Sequence, residues 1–265
     1  MKKRADVILY EKGLVDSREK GKRVIMEGSV FIGNLRIDKP GEKLDEDVEI
    51  IIKENPNIYV SRGGLKLEKA IDSFDLSLQD KVTMDIGSST GGFTDCMLKN
   101  GASRVFAVDV GYGQLDWKLR NDSRVVVMER TNIRNVTNED IGEKINFISI
   151  DVSFISLRLV LPVAKNLLDE NGGVVALIKP QFEAGKDKVG KKGVIRDKKI
   201  HFDVIKSVMQ FCLEIDLGIY GLTYSPITGA TGNIEFLIYL KNNINNIIDD
   251  ESIFAVIEEA HSTLS

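Results

Sequence analysis

The fold of this chain is decided by the stretch Val82-Thr83-Met84-Asp85-Ile86-Gly87-Ser88-Ser89-Thr90-Gly91-Gly92-Phe93. Its first residues suit a buried strand, and the glycines that follow permit close backbone turns. A strand that leads through a glycine-rich turn into a helix is typical of ligand loops in open α/β sheets. The stretch therefore predicts a ligand loop at a strand end, with a tight structural turn as the simpler alternative.

Around this stretch, apolar strands alternate with helical segments. The expected strands are 82–86, 104–110, 125–128, 147–150, 174–178, 220–224 and 234–240. No helical pattern separates the last two, so they should close the sheet as an antiparallel pair. The pattern predicts the α/β class, with a Rossmann-like, mostly parallel, seven-stranded sheet that is covered by helices on both faces. The segment 249–264 is expected to be a helix capped by Asp249 or Asp250.

The N-terminal segment has a different pattern. Apolar residues at helical spacing predict two short helices before Ile25, and the segment 30–52 predicts a small antiparallel sheet. Asn55-Pro56-Asn57 is typical of a linker. We therefore expect a small α+β domain over residues 1–55, a linker over 56–64 and the larger domain over 65–265.

Composition narrows the class of protein further. The two cysteines, Cys96 and Cys212, form no CxxC pair, which predicts a reduced protein with neither disulfides nor a metal site. No apolar run approaches the roughly 20 residues that span a bilayer, and no secretion signal follows the basic start. We therefore expect a cytoplasmic protein with no membrane partner. The oligomeric state stays open.

Basic residues are concentrated near the N-terminus, where residues 1–36 carry nine basic and five acidic side chains. The order of residues here resembles the RNA-binding domain first named after small-subunit ribosomal protein four. The residues that carry the resemblance are Arg4, Asp6, Leu9, Gly13-Leu14, Ser17-Arg18, Gly28, Val30, Asn34 and Lys39-Pro40-Gly41. The resemblance implies RNA-phosphate contacts by Arg4, Arg18, Lys20, Lys22 and Arg23. On charge alone, an ordinary solvated surface is an equal alternative.

A second basic run, 186–199, carries seven basic and two acidic side chains among interspersed glycines. It predicts a mobile loop that holds RNA phosphate, with a solvated loop as the alternative. The RNA-binding candidates in this run are Lys188, Lys191, Lys192 and Arg196, and Arg62 is a further candidate upstream.

The glycine stretch fits adenosylmethionine better than a dinucleotide. This ligand is cationic at sulfur, so the acidic Asp85 before the loop is favourable rather than repulsive. Asp109, at the end of the next strand, suits a carboxylate that accepts from ribose hydroxyls, with a turn or cap role as the alternative. Asn132 is expected near the adenine. The predicted cofactor-binding residues are Asp85, Gly87, Ser88, Ser89, Thr90, Gly91, Gly92, Phe93, Asp109, Asn132 and Asp151.

Motifs along nearly the whole chain carry a specific family resemblance. They are Tyr59-Val60-Ser61-Arg62-Gly63-Gly64-Leu65-Lys66-Leu67, residues 85–94, Asp151-Val152-Ser153-Phe154-Ile155-Ser156, Ile178-Lys179-Pro180-Gln181-Phe182-Glu183 and Gly232-Asn233-Ile234-Glu235. The larger domain resembles the FtsJ-type ribose methyltransferases, and the whole chain resembles the TlyA, or hemolysin A, family. The resemblance implies a catalytic tetrad of Lys66, Asp151, Lys179 and Glu235. It also implies adenosylmethionine-dependent 2′-O-methylation of ribosomal RNA, at a cytidine of the large subunit and also, on one interpretation, of the small subunit.

The residue pattern agrees with part of this. Asp151, Lys179 and Glu235 lie at or beside predicted strand ends, where open α/β sheets assemble their sites. A ribose hydroxyl is a poor nucleophile, so Lys179 is expected either to accept its proton or to orient its oxygen. A buried salt-bridge network is the alternative for any one tetrad residue. Base methylation, an RNA-binding assembly factor with an inactive domain, and a membrane-damaging haemolysin are the alternative functions.

Four other side chains are interpreted as structural. His201 and His261 have no ligand partners in the sequence pattern and are expected to be isolated. Tyr112 and Trp117, close to the expected ligand loop, are interpreted as core residues.

Overall fold

The computed structural model describes residues 2–26, 28–33, 35–37, 39–52, 58–185, 189–190 and 193–264. The chain divides into two compact units, residues 1–62 and 63–265. The linker predicted over 56–64 extends too far, because Gly63 and Gly64 already belong to the first helix of the second unit.

The first unit is small and has the predicted α+β pattern. Its helices, α1 (Ala5–Glu11) and α2 (Arg18–Met26), pack against each other. Its strands are β1 (Lys2–Arg4), β2 (Val30–Ile32), β3 (Leu35–Arg36), β4 (Lys43–Asp45) and β5 (Ile51–Ile52). Strand β1 pairs antiparallel with β4, and β2 lies between β3 and β5 in a second antiparallel sheet. Ile8, Leu9 and Ile25 fill the core between helices and strands, which supplies most of the driving force available to so small a unit.

The second unit is built on one seven-stranded sheet. Its strands are β6 (Val82–Ile86), β7 (Arg104–Val108), β8 (Val125–Met128), β9 (Ile145–Ile150), β10 (Leu168–Ile178), β11 (Gly218–Tyr224) and β12 (Phe236–Lys241). The order across the sheet is β11-β12-β10-β9-β6-β7-β8, and β12 runs antiparallel to both of its neighbours. The predicted mostly parallel sheet with a closing antiparallel pair is confirmed.

Helices connect and cover these strands. They are α3 (Gly63–Ser73), α4 (Gly92–Lys99), α5 (Trp117–Arg120), α6 (Asn138–Ile141), α7 (Leu161–Leu167), α8 (Pro180–Glu183), α9 (Lys198–Glu214) and α10 (Asp250–Leu264). The predicted cap of the last helix is confirmed, since Asp249 Oδ1 accepts from the backbone N–H of Ser252 at 2.8 Å.

The strand order creates a crevice at one edge of the sheet. From β6 the chain continues to β7 and β8 on one side, whereas β9 and β10 lie on the other side. In open α/β sheets, such a reversal leaves a crevice beyond the carboxyl ends of the strands, where ligands bind. Because β12 is reversed, its N-terminal end lies at this same edge, with Phe236 opposite Ile178 of β10. Residues that are distant in sequence therefore meet there.

Two interpretations of single residues were wrong. Tyr112 and Trp117 are 68% and 74% exposed, so neither belongs to the core. The two histidines are not isolated, because His201 Nδ1 lies 3.1 Å from His261 Nε2. Burial, together with His261, lowers the pKa of His201 to about 4, so the buried imidazole is neutral near pH 7.

Two further features of the structure concern membranes and metal ions. Over the described ranges, no helix combines the length and apolar character that a membrane crossing requires. Within the same ranges, no group of three or more His, Cys, Asp and Glu side chains is placed to hold a metal ion.

Candidate active site

Four charged side chains meet at the crevice edge of the sheet. Lys179 follows β10, and its Nζ lies 2.6 Å from Oδ1 of Asp151, which follows β9. Lys66 Nζ lies 3.7 Å from Asp151 Oδ2 on the other side and donates to Glu235 Oε2 at 2.6 Å. The four residues predicted as a tetrad thus form one continuous series of ion pairs, called the ion-pair network below.

Three of the four network residues are almost closed to solvent, and the side chain of Asp151 is 20% exposed. Lys66 and Lys179 are each 8% exposed, and Glu235 is 2% exposed. Burial acts to raise the pKa of Asp151, but the adjacent ammonium groups of Lys66 and Lys179 outweigh it and hold the pKa below its ordinary value. Asp151 is therefore ionised near neutral pH. Its close contact with Lys179 is an ion pair rather than an aligned hydrogen bond.

Each member of the network comes from a different element. Lys66 lies on the buried face of α3, beside Leu67 and Ala70. Glu235 immediately precedes β12, so the reversed direction of that strand brings its carboxylate to the carboxyl ends of β9 and β10. A parallel strand at this place would put its first residue at the opposite edge of the sheet. The antiparallel closure is therefore what completes the network.

The network and the glycine loop share a wall of the crevice. The backbone N–H of Asp151 donates to the carbonyl oxygen of Ile86 at 2.9 Å. Gly87, the next residue, has a φ of 86°, and a Cβ there would lie 2.5 Å from the carbonyl oxygen of Asp151. Only glycine fits this close approach without moving Asp151.

Asp85 lies behind the loop rather than on its surface. Its side chain is fully buried, and its Oδ2 accepts from the backbone N–H of Thr94 at 2.9 Å and from Thr94 Oγ1 at 2.7 Å. Its other oxygen accepts from Ser149 Oγ at 3.3 Å. Burial raises the pKa of Asp85 to about 7, although the bonds from Thr94 act in the opposite direction. These contacts hold the loop against the start of α4.

The raised pKa predicts how Asp85 affects stability. Between about pH 4 and pH 7 the unfolded chain loses this proton while the folded chain keeps it, so the free energy of unfolding falls as pH rises through this window. Asp85→Asn keeps the shape and removes the titration. Between pH 5 and pH 8, we expect the free energy of unfolding of the native protein to fall by up to about a few kcal/mol relative to that of Asp85→Asn. Denaturant unfolding of both proteins at the two pH values measures this, and an unchanged difference would refute the assignment.

Asp109 is tied to the glycine loop. Its Oδ2 accepts from the backbone N–H of Ser89 at 2.8 Å, and its Oδ1 accepts from the backbone N–H of Gly111 at 2.7 Å. Ser89 is exposed and has a φ of 48°, a left-handed conformation that this bond helps to hold. A carboxylate has about four acceptor positions, so Asp109 keeps capacity for a ligand at the half-buried rim.

The other predicted cofactor residues differ in what they expose. Ser88 and Phe93 are buried, and Phe93 is 3% exposed, so its ring packs into the protein. Gly91 and Gly92 are buried at the start of α4, whereas Thr90 is half-buried. Asn132 Oδ1 accepts from the backbone N–H of Arg134 at 3.1 Å and thereby caps a short 3-10 turn.

The basic run after Lys179 is only partly described. Lys188, Lys191 and Lys192 lie outside the described residues, and Arg196 is exposed. The end of the run is anchored by Asn233, whose Oδ1 accepts from the N–H of Ile195 at 2.9 Å and whose Nδ2 donates to Gly193 O at 2.8 Å. Asn233 is fully buried and lies two residues before Glu235, so the run is fastened beside the ion-pair network.

Sequence reasoning missed two aromatic side chains beside Lys179. Phe154 is 91% exposed with a φ of 64°, and its ring centroid lies 5.0 Å from that of Phe182. Both rings line a cavity of about 500 Å³, together with Gln181. Lys179 Nζ lies 5.9 Å from the Phe182 ring and donates to Ser153 Oγ at 2.9 Å. The only sequence signal was that Phe154 directly follows Asp151-Val152-Ser153, and its exposure could not be read from that.

In the N-terminal unit, ion pairs occupy most of the predicted RNA-binding cations. The buried carboxylate of Asp6 accepts from Arg4 Nε at 2.9 Å and from Arg18 Nε at 3.1 Å. Lys20 lies 2.8 Å from Asp16, and Lys22 lies 2.6 Å from Glu19. The remaining predicted cations are Arg23, which is exposed, and Arg62, which is half-buried beside Gly28. Arg4 and Arg18 remain about half exposed, so both still present N–H groups to solvent.

The sheet order, the glycine loop and the buried network define the class of protein as a Rossmann-like methyltransferase fold joined to an S4-type unit. The FtsJ-like methyltransferase family model matches residues 59–242, and the S4 domain model matches residues 3–50. The chain belongs to the FtsJ-like methyltransferase family, which confirms the resemblance found in the sequence.

Individual relatives match over nearly the whole length. The Bacillus subtilis (strain 168) protein named "Putative rRNA methyltransferase YqxC" is 55% identical, over 99% of this chain and 95% of that protein. The Mycobacterium tuberculosis (strain CDC 1551 / Oshkosh) protein named "16S/23S rRNA (cytidine-2'-O)-methyltransferase TlyA" is 36% identical, over 98% of this chain and 97% of that protein. A solved structure described as "Putative hemolysin from Streptococcus thermophilus" has a TM-score of 0.79 and 49% identity, over 99% of this chain and 96% of that chain.

Proposed function

We propose that this chain transfers a methyl group from adenosylmethionine to the 2′-hydroxyl of a cytidine in ribosomal RNA. The observation that carries the proposal is the buried ion-pair network, which lies beside the glycine loop at the crevice edge. The name of the Mycobacterium tuberculosis relative describes cytidine-2′-O methylation of 16S and 23S rRNA. Large-subunit RNA is the first substrate to test, and small-subunit RNA is the second.

The loop residues fit adenosylmethionine in their chemistry. Positive φ angles at Gly87, Ser89 and Gly91 turn the backbone sharply between β6 and α4. Asp109 would accept from the ribose hydroxyls, and the backbone of Ser88, Ser89 and Thr90 would border the ligand. Asp85 would act indirectly, by holding the turn. When bound, adenosylmethionine supplies a methyl group on a positively charged sulfur.

The reaction needs a ribose oxygen held in line with that methyl group. When bound, the donor would supply its methyl carbon to the 2′-oxygen as the carbon–sulfur bond breaks, and the hydroxyl proton would pass to water. Positioning of this kind lowers the barrier by fixing the two reactants before the reaction. Lys179 is the orienting group, because its ammonium is held by Asp151 and Ser153 and has a third N–H to offer to the 2′-oxygen. Lys66 and Glu235 keep Asp151 in place.

The cavity beside Lys179 suits the base of the target nucleotide. Chemistry on a nucleotide inside a folded RNA requires that it be turned out and held in a pocket. Phe154 and Phe182 offer aromatic faces for stacking on that base. The Oε1 of Gln181 is buried and has no hydrogen-bond partner among the described residues, so a polar base edge would satisfy it.

Phe154→Ala tests the role of the cavity. Stacking of one base on an aromatic ring contributes about 1–3 kcal/mol, so kcat/KM for RNA should fall by roughly 5- to 150-fold. Affinity for adenosylmethionine should not change. Phe254→Ala, at a 53% exposed phenylalanine of α10, is the matched control and should keep native kinetics. Steady-state methyl transfer measures both, and equal kinetics for the two variants would remove Phe154 from the site.

Analysis of the methylated nucleoside tests the proposed function. Ribosomal RNA that lacks the modification is incubated with the full chain and adenosylmethionine, digested to nucleosides and resolved by mass spectrometry. We expect 2′-O-methylcytidine. Methyl on the base of a nucleoside would assign base methylation instead. No methyl on either ribosomal RNA, with donor binding intact, would favour an assembly factor.

A further inference from the structure

We infer that a second RNA-contact face lies beside the glycine loop, formed by Tyr112, Trp117, Lys118, Arg130 and Arg134. The residues of this aromatic-basic face follow β7 and β8, which lie on the other side of β6 from β9 and β10, and none of them lines the cavity at Phe154. The inference rests on the proposed function, because the RNA that it contacts is the methylation substrate.

The two aromatic rings of this face are unusually exposed. Trp117 is 74% exposed at the start of α5, and Tyr112 is 68% exposed in the loop that precedes it. Burying an aromatic ring is strongly favourable, so large aromatic rings left exposed commonly mark a contact surface. Leu115 and Leu119, from the same segment, are buried against Gly91 and hold it to the protein. The segment is therefore packed through these two leucines, while the rings of Tyr112 and Trp117 face solvent.

The cations of the face remain available. Lys118, Arg130 and Arg134 are exposed, and the described part of the chain shows no ion pair between any of them and a carboxylate; Arg134 Nε donates to the amide oxygen of Asn132 at 3.3 Å. By contrast, their neighbours Arg120 and Arg124 lie 2.6 and 2.7 Å from the carboxylates of Glu129 and Asp122. Asp116 remains close, where it caps α5 by accepting from the N–H of Lys118 at 2.8 Å. The charge left to attract a partner is thus positive.

Arg130 and Tyr112 already contact each other in this surface. The guanidinium carbon of Arg130 lies 4.1 Å from the centroid of the Tyr112 ring. Stacking on the ring fixes the plane of the guanidinium and leaves its N–H edge free for a phosphate. The backbone N–H of Arg130 also donates to Gly111 O at 2.9 Å, so the loops after β7 and β8 are held together. Little ordering is left to occur when a ligand binds.

These features favour RNA over other partners. Single-stranded RNA offers both phosphates for the cations and base faces for the rings, and proteins bind it with this combination. An acidic protein segment would match the cations but would leave the rings exposed. The adenosylmethionine adenine and a second copy of this chain are the alternative occupants, and the experiment separates them from RNA.

Trp117 is the single tryptophan of the chain, so its fluorescence reports on this face directly. The full chain is excited at about 295 nm, where tyrosine contributes little, and quenched with acrylamide. The quenching constant is measured for the chain by itself, for the chain with adenosylmethionine, and for the chain with protein-free large-subunit ribosomal RNA. We expect RNA to reduce the quenching constant by at least about two-fold, and the donor alone to leave it unchanged. Protection by the donor alone, or protection that rises with protein concentration alone, would overturn the inference.

Variants supply the second readout. Trp117→Ala and Arg130→Ala should each weaken RNA binding by about five-fold or more, with affinity for adenosylmethionine retained in calorimetry. Ile244→Ala, at a 71% exposed apolar residue after β12, is the control and should bind RNA like the native protein. Native RNA affinity in Trp117→Ala, in a chain that still methylates RNA, would overturn this inference and leave the proposed function standing. If the variants bind RNA more weakly but the native protein methylates no RNA, the face remains an RNA-binding surface and the proposed function is overturned.

Discussion

Lys179→Ala is expected to lower the turnover number for methyl transfer by roughly 10²- to 10⁴-fold, the usual scale for loss of one positioned catalytic group. The reason is geometric: Lys179 Nζ is fixed 2.6 Å from Asp151 and 2.9 Å from Ser153, and no other described lysine except Lys66 reaches Asp151. Lys66 is engaged by Glu235 and cannot replace it. Single-turnover transfer at saturating RNA and donor measures the effect.

Lys179→Arg separates the two roles that the sequence left open. An arginine can donate to the ribose oxygen but stays protonated and cannot accept its proton. If Lys179 orients the oxygen, Lys179→Arg should retain much more activity than Lys179→Ala. Lys206→Ala, which removes an exposed lysine paired with Asp250 on α9, controls for a general loss of charge and should keep native turnover. Undiminished turnover in Lys179→Ala would contradict the assignment.

Asp151→Asn is expected to have the second large effect, on both activity and stability. The substitution leaves Lys66 and Lys179 close together with a neutral amide between them. Breaking a buried ion pair by removing one charge costs about 3–5 kcal/mol, because the remaining charge is buried without compensation. We expect a loss of that order in the free energy of unfolding at pH 7, with methyl transfer abolished. Denaturant unfolding and the transfer assay measure the two effects.

The stability that Asp151 contributes should depend on pH. The two ammonium groups hold the pKa of Asp151 below its ordinary value, so its contribution is complete above about pH 4 and is lost as pH falls through the folded-state pKa. The gap between native and Asp151→Asn should therefore shrink in acid. Asp216→Asn is the matched control, because it breaks a more exposed ion pair in which Asp216 Oδ2 lies 3.3 Å from Lys165 Nζ. It should lower the free energy of unfolding by about 1 kcal/mol or less. Equal losses for the two substitutions would show that the network is not a buried one.

The sequence was informative where a feature is local or repeats at a fixed period. The strand 125–128 was predicted with its observed bounds, because four consecutive apolar residues between turns leave few alternatives. The parallel order followed from the alternation of strands and helices. The tetrad came from motif resemblance, and its assembly at one edge depends on β12 running antiparallel, which the missing helix before it had suggested.

Features set by tertiary packing could not be predicted. The charge sum of the first segment counted Arg4 and Arg18 as available cations, but the buried Asp6 binds both of them. His201 and His261 are sixty positions apart in sequence, and only the packing of α10 against α9 pairs them. Trp117 was interpreted as core from its residue type, although α5 is too short to have a repeating apolar face that could identify its buried side.

Asp85 shows how a motif can locate a residue without giving its contacts. The acid before the glycines was expected to face the ligand, yet its oxygens accept from Thr94 and Ser149 inside the protein. Sequence spacing cannot distinguish a carboxylate that lines a pocket from one that holds the loop behind it. Phe154 is the opposite case, because its exposure at a left-handed backbone position depends on the turn after β9.

The most direct test is transfer of labelled methyl from adenosylmethionine to large ribosomal subunits that lack the modification, followed by alkaline hydrolysis of the RNA. Alkali cleaves RNA through a free 2′-hydroxyl, so a 2′-O-methyl group leaves its label in a resistant dinucleotide. We predict resistant label with the native protein and a roughly 10²-fold or greater loss of its rate of formation with Lys179→Ala. Label found only in mononucleotides, or equal resistant label with both proteins, would contradict ribose methylation by the ion-pair network.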